Sequence, residues 1–121
     1  MELKCLEENF TVCKLFSAGQ IDLSRKFLFL GMTDEEISLV CRTEDTPAET
    51  VEREDGWKGF RVQGVLDFSL VGILAKISGV LADNGISIFA LSTYNTDYIL
   101  VREKDFENAQ RALSAAGYKI S

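Results

Sequence analysis

The sequence contains no histidine, one proline and three cysteines among its 121 residues. Histidine is the commonest general base in enzymes and a frequent metal ligand, so its absence removes the most usual route to both chemistries. The sequence also has no phosphate-binding loop, no metal-ligand spacing and no nucleophile beside a base. We therefore predict a protein that is not an enzyme and that uses no metal or cofactor.

The cysteines, Cys5, Cys13 and Cys41, are odd in number and contain no C-x-x-C pair. Each lies among apolar or β-branched neighbours, and a reactive thiolate would need a base that this sequence lacks. This pattern predicts small buried side chains in strands, in a reducing compartment.

Long apolar runs and an excess of positive charge are also missing. A membrane helix needs about 18 consecutive apolar residues, and no stretch approaches that length. The start of the chain, MELK, does not have the basic and then apolar run that is typical of a signal peptide. The formal net charge of -6 argues against binding to a phosphate backbone. We therefore expect a soluble cytoplasmic protein with neither nucleic acid nor membrane as a partner.

The strongest pattern present lies in residues 64–101. Apolar residues recur there at the three- and four-residue spacing of one helical face, at Leu70, Ile73, Leu74, Ile77, Val80 and Leu81. Asp67 and Ser69 precede this face as candidate caps, and Gly85 follows it as a candidate stop signal. Residues 86–93 and 98–101 then have the β-branched and aromatic composition of strands.

The flanking segments extend this pattern. Residues 57–64 alternate as a strand, and residues 118–120 form a last short strand. Asp105 can start a second helix whose apolar face is formed by Phe106, Ala109, Ala112 and Leu113. The order strand, helix, strand, strand, helix, strand predicts an α+β, ferredoxin-like βαββαβ fold for the second half.

The first half looks strand-rich. We predict strands within residues 10–16, 26–32 and 37–42, followed by a short helix over residues 47–54 that starts at the only proline.

The strand at residues 86–91 carries apolar side chains on both faces, although helices should cover only one of them. Either the first half of the chain or a second copy of the protein must cover the other face. We predict a homodimer.

A binding site is predicted where the first helix begins. Unpaired backbone N–H groups around Ser69, Leu70 and Val71 favour an anion such as a carboxylate. Gly72 has no Cβ and either lets a ligand approach or serves helix–strand packing. Asp97 either holds a cation or accepts N–H bonds from the turn before it.

Several of these segments resemble the ACT domain, a βαββαβ regulatory module found beside many amino-acid biosynthetic enzymes. Residues 67–77 are similar to its Asp-x-Pro-Gly-x-Leu opening, and residues 81–88 to the end of its first helix and its second strand. Trp57 with residues 62–64, then 66–69 and 92–101, resemble small two-module bacterial proteins related to the aspartokinase regulatory region and to the CASTOR-type arginine sensors.

The resemblance implies two modules. Residues 29–40 resemble a degenerate first module. We therefore expect a degenerate, strand-rich ACT-like module over residues 1–56, packed with an ACT domain over residues 57–121.

The resemblance also implies a non-catalytic regulatory protein that binds a small ligand, in our interpretation a free amino acid, at a module or subunit interface. Its ligand-binding residues would be Asp67, Phe68, Ser69, Leu70, Val71 and Gly72, with Ser92, Thr93 and Asp97 opposite. Val71 replaces the family's usual proline. The alternative is a protein–protein interaction module that has lost its ligand. An acylphosphatase of the same fold would require an arginine loop where Asp67 stands.

Overall fold

A computed structural model describes residues 1–64 and 71–121 of the chain and divides the protein into two compact units. We call Met1–Glu7 together with Lys58–Ser121 the C-terminal unit, and Glu8–Trp57 the N-terminal unit. In chain order the strands and helices are β1 (Glu2–Cys5), β2 (Phe10–Lys14), β3 (Phe29–Met32), β4 (Ile37–Arg42), β5 (Glu52–Val62), α1 (Ile73–Asp83), β6 (Ile88–Ser92), β7 (Asp97–Arg102), α2 (Phe106–Ala115) and β8 (Lys119–Ile120).

The C-terminal unit has the predicted α+β order, from β5 through α1, β6, β7 and α2 to β8. Its strands lie in the order β6, β7, β5, β1, β8, with β6 antiparallel to β7 and β1 antiparallel to β5. The first strand of the chain, β1, also pairs in parallel with the last strand, β8. The predicted ferredoxin-like fold is thus confirmed, and β1 adds to it a strand from the start of the chain.

The core of the C-terminal unit joins both helices to one face of these strands. Its buried members are Leu3, Phe60, Val62, Ile77, Leu81, Ile86, Ile99, Val101, Ala109 and Leu113. The helical residues among them, Ile77, Leu81, Ala109 and Leu113, belong to the apolar faces that the sequence predicted for α1 and α2. The predicted periodicity is therefore confirmed as the buried face of each helix.

The start of α1 differs from the prediction, whereas its end agrees with it. The helix begins at Ile73 and not at Leu70, after Gly72 in the left-handed conformation with φ of 78°. Glycine adopts that conformation without the steric cost that a Cβ would bring. The predicted stop is confirmed, because Gly85 follows the helix with φ of 71°. The predicted caps Asp67 and Ser69 lie outside the described residues.

The N-terminal unit is an antiparallel arrangement in which β4 lies between β3 and β2, and β2 also pairs with the first part of β5. The strands predicted within residues 10–16, 26–32 and 37–42 are confirmed as β2, β3 and β4. The prediction of a helix over residues 47–54 is wrong. Lys14 of β2 pairs with Glu52, so that β5 has already begun where the helix was expected to continue. The backbone groups of this segment bond to β2 instead, and tertiary pairing overrides the local helix signal.

Buried thiols form part of the core of the N-terminal unit. Cys13 and Cys41 lie with Leu15 and Leu39 in one apolar cluster. Burial raises the pKa of the Cys13 thiol to about 11, and burial also raises the pKa of Cys41. Cys5 in β1 is half-buried and its Sγ accepts a hydrogen bond of 3.0 Å from Gln110 Nε2. The prediction of buried strand residues is confirmed for Cys13 and Cys41, whereas Cys5 is a strand residue that is only half-buried.

The raised pKa of Cys13 makes folding stability depend on alkaline pH. Between the ordinary thiol pKa of 9.0 and about 11, the unfolded chain loses the Cys13 proton while the folded chain keeps it. The free energy of unfolding therefore falls as pH rises through that window. We expect Cys13→Ala to show a smaller fall than the unchanged protein in urea titrations at pH values across this range. Equal falls in the two proteins would contradict the assignment.

Candidate ligand-binding site

The turn between β6 and β7 is closed by Thr93. Its backbone N–H and its Oγ1 both donate to the Thr96 carbonyl, at 2.9 and 3.1 Å, and Thr93 Oγ1 also accepts from the Thr96 N–H at 3.4 Å. A threonine hydroxyl that satisfies nearby backbone groups is a common device in tight turns. The turn is therefore held by Thr93, and Asp97 faces a different partner.

That partner is Ser92, which lies directly opposite Asp97 in the β6–β7 register. Ser92 Oγ donates a hydrogen bond of 2.6 Å to Asp97 Oδ1, and the Asp97 side chain is half-buried. Asp97 shares its strand face with Ile99 and Val101, because side chains alternate along a strand. Ile99 and Val101 pack against the helices. The Asp97 carboxylate therefore lies on the helix-bearing face of the sheet, at its end.

Thr96 ties this hairpin to the strand that leads into α1. The Thr96 side chain is buried, and its Oγ1 donates a hydrogen bond of 2.6 Å to the carbonyl of Val62, the last residue of β5. A helix that follows a strand in a β-α-β unit starts at the end where that strand stops. The Ser92–Asp97 pair and the start of α1 therefore lie at the same end of the C-terminal unit.

The start of α1 provides donors for an anion. The backbone N–H groups of its first turn belong to Ile73, Leu74 and Ala75, about three residues later than the sequence predicted. The Gly72 carbonyl accepts the first helical bond, 2.9 Å from the Lys76 N–H. Val71, two residues before the helix, is 87% exposed. Such a helix end favours negative charge.

The predicted site residues divide into two groups. Val71, Gly72, Ser92, Thr93 and Asp97 are described, whereas Asp67, Phe68, Ser69 and Leu70 lie outside the described residues. Thr96 is a further candidate that the sequence analysis does not single out, because it lies among the polar residues of the turn before Asp97. The sequence did contain a signal for Thr96, namely a polar residue directly before an alternating apolar strand. The side chain of such a residue can point inward.

Two features are absent from the parts of the chain that the structure describes. In residues 1–64 and 71–121, no group of three or more cysteine, aspartate or glutamate side chains is placed to hold a metal ion. Within the same residues, no helix has both the length and the apolar character needed to cross a bilayer.

Comparison with known proteins identifies the class of domain. Residues 52–115 match the family model of the ACT domain. Across 99% of its length the chain is 30% identical to a protein from Agrobacterium tumefaciens, covering 91% of that chain with a TM-score of 0.85. The chain belongs to the ACT domain family, which confirms the resemblance found in the sequence.

More distant structures share the fold. The regulatory subunit of aspartate kinase from Thermus thermophilus, in its ligand-free form, is 13% identical, with a TM-score of 0.67 and 97% of each chain covered. A protein of unknown function from Vibrio cholerae is 20% identical, with a TM-score of 0.73 and coverage of 94% of this chain and 88% of that one. Membership of the ACT domain family favours a regulatory role for the chain over a catalytic one.

The Thr96–Val62 hydrogen bond should contribute to the free energy of unfolding. We expect Thr96→Val to lower the free energy of unfolding by about 1–3 kcal/mol, because it leaves a buried carbonyl without its donor. Thr96→Ser is the matched control, since it keeps the hydroxyl and removes only a methyl group. Urea denaturation of the three proteins measures the effect. A Thr96→Val protein at least as stable as the unchanged chain would contradict the role of this bond.

Proposed function

We propose that this chain is a non-catalytic regulatory protein that binds a free amino acid where α1 begins and the β6–β7 hairpin turns. The observation that carries the proposal is the Asp97 carboxylate. It is half-buried and bonded to Ser92 at 2.6 Å, beside the turn that Thr96 ties to the end of β5, the strand that precedes α1.

The two parts of this site have opposite electrostatic preferences. The first-turn N–H groups of Ile73, Leu74 and Ala75 favour a carboxylate, whereas Asp97 favours an ammonium group. A free amino acid carries both charges on neighbouring atoms, so that it can satisfy both ends at once. The residues predicted from the sequence, Asp67, Phe68, Ser69 and Leu70, would complete the site between them.

We propose that the bound ligand regulates the protein by changing the association of two copies of the chain. Both faces of β6 carry apolar side chains, with Ile88 on the helix-bearing face and Phe89 and Leu91 on the opposite one. We therefore propose a homodimer, with the ligand at or beside the subunit interface. A ligand that binds one association state more tightly shifts the population toward that state. The buried thiols Cys13 and Cys41 fit a protein of the reducing cytoplasm.

The N-terminal unit is proposed to be a degenerate copy of the same module. Thr33 N–H donates to the Glu36 carbonyl in the β3–β4 turn, just as Thr93 N–H donates to the Thr96 carbonyl in the β6–β7 turn. The following strands, β4 and β7, each end at an arginine, and each arginine is followed by a 3₁₀ turn, Thr43–Asp45 or Glu103–Asp105. The N-terminal unit keeps this hairpin and contains no α-helix in Glu8–Trp57, all of which is described.

A second candidate function is docking of another protein at the same end without any small ligand. Val71 is 87% exposed and Tyr94 is 79% exposed. Large apolar or aromatic side chains on a surface are typical of protein contacts.

A panel of the proteinogenic amino acids at millimolar concentration, followed by thermal shift and calorimetry, distinguishes the two functions. Stabilisation by one member or one chemical group of members is the expected result. No stabilisation by any amino acid would overturn the proposed ligand class and favour the docking function.

The residue-level test uses Asp97→Asn. We expect it to weaken binding of the amino acid found in the panel by about tenfold or more, because a hydrogen-bonded charge partner of the ammonium group is lost. Asp34→Asn is the matched control, since Asp34 is an exposed acidic residue in the corresponding β3–β4 turn. Unchanged affinity in Asp97→Asn would remove Asp97 from the site.

A further inference from the structure

Two of the three cysteines are neighbours on one face of the N-terminal unit. In the β2–β4 register Cys13 lies opposite Leu39, and Cys41 is two residues further along β4. Side chains alternate along a strand, so Cys13 and Cys41 are diagonal neighbours on a common face. Their thiols are close enough to hydrogen-bond to each other. Spacing along the chain does not reveal this pair, which is why the sequence predicts no metal.

Apolar side chains enclose the two thiols. Cys13 is 4% exposed and Cys41 is 0% exposed. One oxygen lies near them, because Cys41 Sγ is 3.5 Å from Thr46 Oγ1. The other members of the surrounding cluster are all aliphatic, namely Leu15, Ile21, Leu28, Ile37 and Leu39. The site therefore offers a ligand two sulfur atoms in a largely apolar pocket of side chains.

The diagonal spacing favours a bridging atom over a direct bond between the two sulfurs. Diagonal neighbours on antiparallel strands have Cα atoms roughly 7–8 Å apart, with the Cβ atoms somewhat closer. A disulfide needs Cβ atoms roughly 3.5–4.5 Å apart, and a Cα separation above about 7 Å prevents it unless the backbone moves. An atom bound between the sulfurs spans the wider gap without that movement.

The number and the type of ligands select the metal. Structural Zn(II) takes four protein ligands, and Ca²⁺ and Mg²⁺ prefer oxygen. Across the described ranges, 1–64 and 71–121, cysteine, aspartate and glutamate form no group of three or more that could hold a metal ion. Soft thiolates select Cu(I), which accepts two sulfur ligands in a nearly linear arrangement. A pair of thiols without further ligands therefore suits Cu(I) and not Zn(II).

Arg53 supplies a compensating positive charge. It lies opposite Cys13 in the β2–β5 register, on the same face as the thiols. Burial raises the pKa of both thiols, and the Arg53 guanidinium acts in the opposite direction on each, because it favours the thiolate. Two thiolates with one Cu(I) carry a single negative charge. Arg53 balances that charge in part, since it is also bonded to Asp55.

We propose that Cys13 and Cys41 form a buried two-thiolate binding site for Cu(I). On binding, both S–H bonds break, two S–Cu bonds form and two protons pass to solvent, with no change in oxidation state. The metal joins β2 to β4 and so cross-links the core of the N-terminal unit. The site lies wholly within Glu8–Trp57 and shares no residue with the candidate amino-acid site, so neither proposal depends on the other.

The first test is an anaerobic competition for Cu(I) between the protein and the chromophoric chelator bicinchoninate. The unchanged protein should withdraw Cu(I) in an amount equal to that of the chain. Cys13→Ala and Cys41→Ala should each weaken binding by about tenfold or more. Loss of a group that only supports a metal ligand already costs about 10- to 100-fold in affinity, and these variants lose a ligand itself.

Cys5→Ala is the matched control, because Cys5 lies in β1 of the C-terminal unit with Gln110 as its partner. It should bind Cu(I) as the unchanged protein does. Circular dichroism of each variant shows whether its fold is retained. If the unchanged protein withdraws no Cu(I), or if Cys5→Ala loses the metal, the proposed site is overturned.

The second test uses the unchanged protein and decides the question if the alanine variants fail to fold. X-ray absorption at the copper edge of the Cu(I)-loaded protein should show two sulfur neighbours and no nitrogen or oxygen ligand. The loaded protein should also unfold at a higher temperature, because the metal binds the assembled pair of strands. Nitrogen or oxygen ligands, or more than two sulfurs, would overturn the two-thiolate site.

Discussion

The buried hydrogen bond from Thr96 Oγ1 to the Val62 carbonyl is the constraint on which the candidate site depends. It fixes the tip of the β6–β7 hairpin to the end of β5, just before the chain continues toward α1. Leaving either group unpaired in the interior would cost about 1–3 kcal/mol, so the bond strongly favours this one arrangement. The Ser92–Asp97 pair, which flanks the same turn, is thereby held at the end of the sheet where α1 begins.

The loop after β2 in the N-terminal unit differs from the entry to α1 in the C-terminal unit. In the N-terminal unit, the loop after β2 is closed by its own side chain, because Gln20 Oε1 accepts from the N–H groups of Phe16 and Ser17 and Gln20 Nε2 donates to the Glu49 carbonyl. In the C-terminal unit, the segment before α1 ends in an exposed Val71 and a left-handed Gly72. The first loop satisfies its own donors, whereas the second leads into the first turn of a helix, whose N–H groups favour negative charge.

Prediction from the sequence succeeded where the local pattern of a segment agrees with the way that segment packs in the fold. The apolar spacing of Ile77 and Leu81 indicated a helix, and the same spacing forms its buried face. Prediction failed at residues 47–54, where proline and acidic residues favour a helix locally, because the backbone there pairs with β2 over a distance that no local pattern reveals. For the binding site, the sequence indicated single residues but not their arrangement. Asp97 and Gly72 were recognised as unusual residues for their positions, but their common location could not be derived from spacing.

Local sequence patterns were sufficient to predict the class of fold, the apolar faces of both helices and the strand character of the cysteine segments. They also indicated the residue types available for binding. These depend on periodicity and composition, which act over a few residues. Three features follow from the tertiary fold alone. Asp97 bonds to Ser92, Thr96 turns inward to Val62, and β3 is an apolar edge among the described strands. Each of these depends on which strands become neighbours, and strand pairing is settled by the burial of the whole core and not by any one segment.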